Sequence, residues 1–240
     1  MASDRAPEAP SPLSGPGLDP TTIERHKDAA ARAAAELVQD GMRVGLGTGS
    51  TVAHLLSALG ERAEELQNAR CVATSPATAQ IAKDLGLTVE ELDDVGELDI
   101  AIDGADQVDP DGWLVKGGGG AHTREKIVAA SARLFVVIVS AEKEVGRLGP
   151  PVPVEVLRFG VDHTLAALGD ARPRDIAASP DGNLIADYLG PVDDPHALAE
   201  RLSGTPGVVE HGLFAPEMVS EIFVAGAEQV WRRTGGKSDE

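Results

Sequence analysis

LDIAIDGADQVDPDGWLVKGGGGAHTREKIVAASARLFVVIV, Leu98 to Val139, decides how this chain folds. Its two ends, LDIAI and RLFVVIV, are short apolar runs of the length and β-branched composition of strands buried on both faces. REKIVAASA between them has the composition of a helix. A buried strand, a helix and another buried strand point to a mostly parallel α/β sheet covered on both sides. The middle of the stretch is costly for stability. Four consecutive glycines, Gly117–Gly120, lose more backbone entropy on folding than any other residues. They follow Lys116, one of only six lysines in the chain. Such a run lets a ligand lie directly against the main chain.

The same alternation extends in both directions. Thr21 to Asp40 is predicted to be a helix, with TTIE as a capping box, Gly41 as its stop, and Ile23, Ala30, Ala34, Leu37 and Val38 near one face. MRVGLG is then a strand, TVAHLLSALGER a helix and ARCVATS a second strand. SPATAQIAKDLG is a helix with Ser75 as N-cap, Pro76 in its first turn and Gly86 as its stop. LTVEEL and WLVKGG read as further strands. Prolines 150, 151 and 153 mark a boundary. Beyond it, PVEVLRF, DHTLAALGD, NLIADYLG, DPHALAERLSG and VVEHGLF follow the β-α-β-β-α-β order of a ferredoxin-like unit. EIFVAGAEQVW is expected to return as a strand and a short helix.

The expected architecture is α/β. A Rossmann-like sheet with helices on both faces takes residues 21–149 and 216–233, and a smaller ferredoxin-like α+β domain takes 150–215. Residues 1–20, with five prolines and no apolar segment, read as a disordered leader rather than a signal peptide, and 234–240 as a disordered tail.

Lys plus Arg number 21 against 39 Asp plus Glu, a net charge of −18, which argues against nonspecific binding to nucleic acid or to an anionic membrane. A small anionic ligand remains compatible, because a local cluster of donors outweighs distant screened charge. Cys71 is the sole cysteine, so a reducing, cytoplasmic setting is expected, and its strand context makes it a packed thiol. No apolar run approaches membrane-spanning length.

In open parallel sheets, ligands sit outside the carboxyl ends of strands. GLGTGST, TSPAT, DGAD and KGGGGAHTREK all fall at loops leading out of strands. GLGTGST, Gly45 to Thr51, has Gly-x-Gly-x-x-Ser, and the second strand ends without an acid to hold a ribose. A dinucleotide site is therefore demoted. No Gly-Lys-Ser/Thr follows, which excludes a P-loop. Backbone N–H groups and the hydroxyls of Thr48, Ser50 and Thr51 instead suit one phosphate or a sugar hydroxyl, with Ser50 as a simple helix cap the alternative. Asp103 and Asp106 can bind a polyol, exchange protons with it, or serve a turn. A metal is disfavoured, because no histidine or third carboxylate stands nearby with ligand spacing. Asp109 and Asp111 belong to a DPDG turn. The N–H groups of the glycine run, with the charge of Lys116, suit a developing oxyanion. Glu125 lies in a helix's first turn, where the macrodipole lowers a carboxyl pKa. A base that removes a C–H proton needs the opposite shift, so desolvation would have to win.

Taken together, GTGST, TSPAT, DGAD, KGGGGAHTREK and VSAEKEVGRLG resemble the type A family of ribose-5-phosphate isomerases, in order and spacing from about Thr21 to Trp231. The resemblance implies interconversion of D-ribose 5-phosphate and D-ribulose 5-phosphate without cofactor or metal. It makes Glu125 the base that moves a proton between C2 and C1 through an enediol(ate). Asp103 and Asp106, with Gly104 and Ala105 between them, would assist ring opening and proton traffic. Lys116 and the N–H groups of Gly117, Gly118 and Gly119 would stabilise the oxyanion. Thr48, Gly49, Ser50 and Thr51 would belong to the substrate site, with Lys143 and Lys27 toward the phosphate. A homodimer or homotetramer is expected. Two positions depart from the family's pattern. Gln107 replaces a usual glutamate and is placed to alter the pKa of Asp106, and His122, where an apolar residue is common, reads as a partly exposed loop histidine. A sugar-phosphate sensor and another enzyme of the same superfamily fold, such as an amino-sugar phosphate deaminase or a CoA transferase, remain alternatives that only the site can separate. The acidic chain has no basic recognition helix for the first of these.

Overall fold

The computed structural model describes residues 18–227 and 229–237. In chain order, α1 (Pro20–Ala35) leads to β1 (Arg43–Leu46), α2 (Ser50–Gly60), β2 (Arg70–Ala73), α3 (Pro76–Asp84) and β3 (Thr88–Val89). The short α4 (Leu92–Val95) precedes β4 (Leu98–Gly104). A small hairpin of β5 (Gln107–Val108) and β6 (Leu114–Val115) is followed by α5 (His122–Ala130) and β7 (Ala132–Ser140). Next come β8 (Val152–Val156), α6 (Val161–Leu168), β9 (Ala171–Pro173), β10 (Leu184–Tyr188), α7 (Pro195–Ser203) and β11 (Val208–His211). β12 (Leu213–Phe214), β13 (Glu221–Ala225) and β14 (Val230–Thr234) complete the chain.

The main sheet has seven strands in the order β14-β13-β7-β4-β1-β2-β3, parallel except for the β13–β14 pair. Its central strands are apolar on both sides because both sides are covered. One face packs on α1 and α2 through Val44, Leu46, Ile100, Ile102 and Phe223. The other meets α5 and the β12 segment through Leu98, Val128, Phe135 and Phe214. With so few aromatics, close approach comes from alanine: α1 buries Ala30, Ala31, Ala34 and Ala35. The second sheet, β11-β8-β10-β9, is antiparallel throughout and carries α6 and α7, which is the expected ferredoxin-like arrangement. Among the described residues no helix is long and apolar enough to cross a membrane.

Several local expectations are corrected. α1 starts from Asp19, whose carboxylate accepts from Thr22 N at 3.1 Å, rather than from a threonine capping box. It ends at Ala35, not Asp40, because the Arg62 guanidinium takes the carbonyls of Ala35 (2.8 Å) and Val38 (3.1 Å). LTVEEL gives only the two residues of β3. WLVKGG does not join the main sheet: β6 lies in a separate three-stranded antiparallel sheet, β12-β6-β5. VVEHGLF splits at Gly212 between two sheets. EIFVAGAEQVW gives strand β13 and the start of its hairpin partner β14, with no helix among the described residues between them. Ser50 does not cap α2; Gly49 holds that position with no side-chain bond. The expected leader 1–20 lies almost wholly outside the described residues, as does the end of the expected tail.

Phe223 is fully buried at the centre of β13. Phe223→Ala is expected to cost about 3–5 kcal/mol, lowering the urea midpoint with an unchanged slope in equilibrium unfolding.

Candidate active site

Four loops converge at the carboxyl ends of β1, β4, β6 and β7. They enclose a cavity of about 420 Å³ lined by Thr48, Gly49, Ser50 and Thr51 from the first, and Gly104, Ala105 and Asp106 from the second. Lys116 to Gly119 line it from the third, Glu142 and Lys143 from the fourth, and Glu125, Val52, Ile23 and Lys27 complete the wall. Every residue expected at the site is therefore brought together there except one. Asp103 sits behind the wall, 3% exposed, rather than lining it.

From that position Asp103 organises its neighbours. Its Oδ1 accepts from Thr48 N (3.2 Å) and Gly104 N (2.7 Å), tying the first two loops together. Its Oδ2 lies 2.9 Å from Lys116 Nζ. The lysine is also buried, donating to Gly104 O at 2.5 Å and lying 3.1 Å from Glu125 Oε2. The three ammonium protons thus have three oxygen neighbours, which fixes the direction of the side chain. Lys116 N donates to Gly212 O at 2.8 Å, so the β11–β12 crossing holds its backbone as well.

Glu125 is 3% exposed, in the first turn of α5. Its Oε2 has the Lys116 ammonium, 3.1 Å away, and no other donor among the described residues. Desolvation, then the Asp103 charge, push its carboxyl up to about 8, against the pull of Lys116. Desolvation therefore outweighs the helix-end effect that favours the ionised form. Burial also raises Asp103. Burial tends to lower the Lys116 ammonium, but the two carboxylates outweigh it and its pKa is raised. Two acids share one cation, so the ammonium stays charged and one carboxyl retains its proton longest.

Asp106 stands at the wall, and its Oδ2 accepts from Gly118 N at 2.9 Å. Lys27 is paired with Glu24 at 2.7 Å. The Thr48 hydroxyl meets Thr74 Oγ1 at 2.8 Å, and Thr78 Oγ1 donates to Gly47 O at 3.0 Å. TSPAT thus buttresses the first loop instead of lining the cavity. Gln107 points away from Asp106, exchanging two 2.8 Å bonds with the backbone of Gly149. His122 is fully buried, not a loop histidine. Desolvation pushes its pKa down to about 4, and Nε2 faces Glu210 O at 3.3 Å. Ile23, read from the sequence only as part of a helix face, and Val52 and Glu142 were not expected at the site. Glu142 adjoins Lys143 in AEK, which was its available signal. Among the described residues no group of three or more His, Cys, Asp or Glu side chains could hold a metal ion.

Residues 70–229 match the sequence profile of the family described as ribose 5-phosphate isomerase A, or phosphoriboisomerase A. The chain belongs to that family. It is 44% identical over 219 residues to ribose-5-phosphate isomerase A of Thermosynechococcus vestitus, covering 85% of this chain and 92% of the relative. Against the Caulobacter vibrioides family member the identity is 44% over 226 residues, 88% and 98% of the two chains. The solved structure of ribose 5-phosphate isomerase A from Methanocaldococcus jannaschii superposes with a TM-score of 0.83 at 35% identity, covering 88% of this chain and 99% of the other. A D-ribose-5-phosphate isomerase solved in complex with phospho-erythronic acid gives 0.83 at 34% identity, with the same coverage.

A Cβ added at Gly47 would overlap the Asp103 carboxyl. Gly47→Ala is expected to displace Asp103, release the Thr48 and Gly104 amides, and cost about 1–3 kcal/mol. Urea unfolding measures the cost, and amide chemical shifts at Thr48 and Gly104 report the displacement.

Proposed function

We infer that the protein interconverts D-ribose 5-phosphate and D-ribulose 5-phosphate, with Glu125 as the base. One observation carries this reading: a buried carboxyl, raised toward neutrality, at the wall of a glycine-lined cavity and 3.1 Å from a fixed ammonium. Aldose–ketose isomerisation needs those parts. The base takes the proton from C2 of the open-chain aldose. The electrons move to the carbonyl oxygen, where the Lys116 charge and glycine N–H groups stabilise the enediolate. The same carboxyl then returns that proton to C1, while the C2 hydroxyl gives up its proton and O1 takes one, leaving the C2 ketone. A glutamate base paired with electrophilic donors also serves triosephosphate isomerase, a precedent of the same chemistry.

In this scheme Asp106 exchanges protons at the sugar hydroxyls and Asp103 orients Lys116. The phosphate lies toward Thr48–Thr51 and Lys143, with Lys27 beside it. The relatives named as isomerases, and the phospho-erythronic acid bound in one of them, support a sugar phosphate as substrate. The reading extends to a cytoplasmic homodimer or homotetramer that binds neither nucleic acid nor membrane. Its catalytic unit is 21–149 with 216–233, beside a smaller unit at 150–215.

A coupled assay with ribose 5-phosphate, with and without chelator, tests the activity; turnover insensitive to chelator is expected, and no turnover with this substrate overturns the proposal. Glu125→Gln should keep substrate affinity and lose turnover by about 10²–10⁴-fold. A near-normal kcat would remove Glu125 from the base role.

The pH dependence has a definite sign. Only the ionised carboxylate accepts a proton, so kcat/KM should rise with pH and level off above about 8. Because burial raises this group in the folded state, its contribution to stability runs the other way. It is greatest at acid pH and is lost as pH rises from the ordinary carboxyl range through about 8. Glu125→Gln should remove both dependences, read from pH–rate profiles and from urea unfolding at pH 5 and pH 9.

A further inference from the structure

The glycine run is held from the second sheet by a residue that the chemistry above does not use. Arg174 follows β9, and its backbone N–H donates to Ile185 O at 2.9 Å. Its Nη1 donates to the carbonyls of both Gly117 and Gly118, each at 3.0 Å. The rest of the guanidinium is committed to Asp187 on β10, through Nε to Oδ2 at 3.0 Å and through Nη2 to Oδ1. This forked grip fixes the guanidinium plane. The arginine side chain is 16% exposed and the aspartate 20%.

The peptide group is planar and trans, so its C=O and N–H point in opposite directions. Turning the Gly117 carbonyl toward Arg174 aims Gly118 N–H the other way, where it meets Asp106 Oδ2 at 2.9 Å. Turning the Gly118 carbonyl toward Arg174 likewise aims Gly119 N–H away from the arginine, at a residue that lines the cavity. Glycines have no side chain to set these orientations and readily populate alternatives. The loop also rests on the second sheet at Gly120, where an added Cβ would come 3.2 Å from Ile185 Cγ1.

We propose that Arg174, anchored by Asp187, is a positioning residue that orients the Gly118 and Gly119 peptides so that the loop presents its N–H donor to the enediolate oxygen. This rests on the isomerase reading. Arg174 touches only the outer side of the loop, so its removal leaves the phosphate end of the cavity intact and degrades the end where charge develops.

Arg174→Ala is expected to lower kcat by about 10- to 100-fold with KM changed less than about threefold, the size expected when an oriented donor is misplaced. Phospho-erythronic acid has a carboxylate that sets two oxygens side by side, as an enediolate does, so its inhibition should weaken alongside kcat. Inhibition by inorganic phosphate should be unchanged. Arg174→Lys keeps the charge but loses the fork, so it and Asp187→Asn should fall between wild type and Arg174→Ala. Amide hydrogen exchange at residues 117–120 should accelerate in Arg174→Ala, a readout independent of turnover.

Wild-type kcat in Arg174→Ala, or unchanged exchange in the glycine run, overturns the proposal. So does an equal loss of phosphate and phospho-erythronic acid binding, which marks general collapse of the site. If Arg174→Ala fails to fold, the same criteria apply to Arg174→Lys and Asp187→Asn. A wild-type enzyme without turnover on ribose 5-phosphate defeats the isomerase reading instead, and the exchange measurement still decides whether Arg174 orders the loop.

Discussion

The site depends on a buried imbalance of charge: two carboxyls, Asp103 and Glu125, against the single ammonium of Lys116. In water such a cluster would be ordinary. Removed from solvent it cannot hold two negative charges cheaply, so one carboxyl keeps its proton toward neutral pH. Asp103 has two backbone N–H donors and Glu125 Oε2 has none, so the negative charge is better satisfied on Asp103. The asymmetry of hydrogen bonding, not of residue type, separates the two acids. It leaves the acid at the cavity wall as the one suited to gain and lose a proton.

That arrangement requires scaffolding on every side, because each partner comes from a different loop. β4 supplies Asp103 and Gly104, β6 delivers Lys116, and α5 delivers Glu125. β1, β4 and β7 lie side by side in the parallel sheet, and β6 arrives from the small separate sheet to meet their carboxyl-end loops. Breaking a buried ion pair of this kind typically costs about 3–5 kcal/mol, since the surviving charge is left without compensation. In the proposed mechanism the cluster is therefore both the chemical apparatus and part of what holds the loops in place.

Much of this was legible in the sequence, for identifiable reasons. β4 and β7 announce themselves by short apolar runs rich in Ile and Val, and α3 by Ser75 and Pro76. The site loops stand out because glycines concentrated between a strand and a helix are entropically costly. What could not be read depended on contacts between distant residues. α1 stops where Arg62 claims its carbonyls, although Leu37 and Val38 continue the helical pattern. His122 is buried because Glu210, 88 residues away, closes over it. β13 pairs with β14 on the outer side of β7, and that pairing overrides the helical composition of AGAEQ. Asp103 and Asp106 look equivalent in DGAD, yet one is behind the wall and the other on it. Arg174 carries no local signal at all, since its partners are carbonyls more than fifty residues earlier.

Gly212 joins the second sheet to the strand before the glycine run through its backbone. Its carbonyl receives Lys116 N, its N–H reaches Pro153 O at 2.7 Å, and a side chain there would overlap the Lys116 carbonyl. The strand that leads into Lys116 is thus clipped to the second sheet through main-chain atoms at this point. The smaller lobe is consequently no detachable accessory. A minimal enzyme cut down to the larger sheet would lose the strap under its own lysine, and a chimera with a foreign second lobe would need a residue without a side chain at the seam.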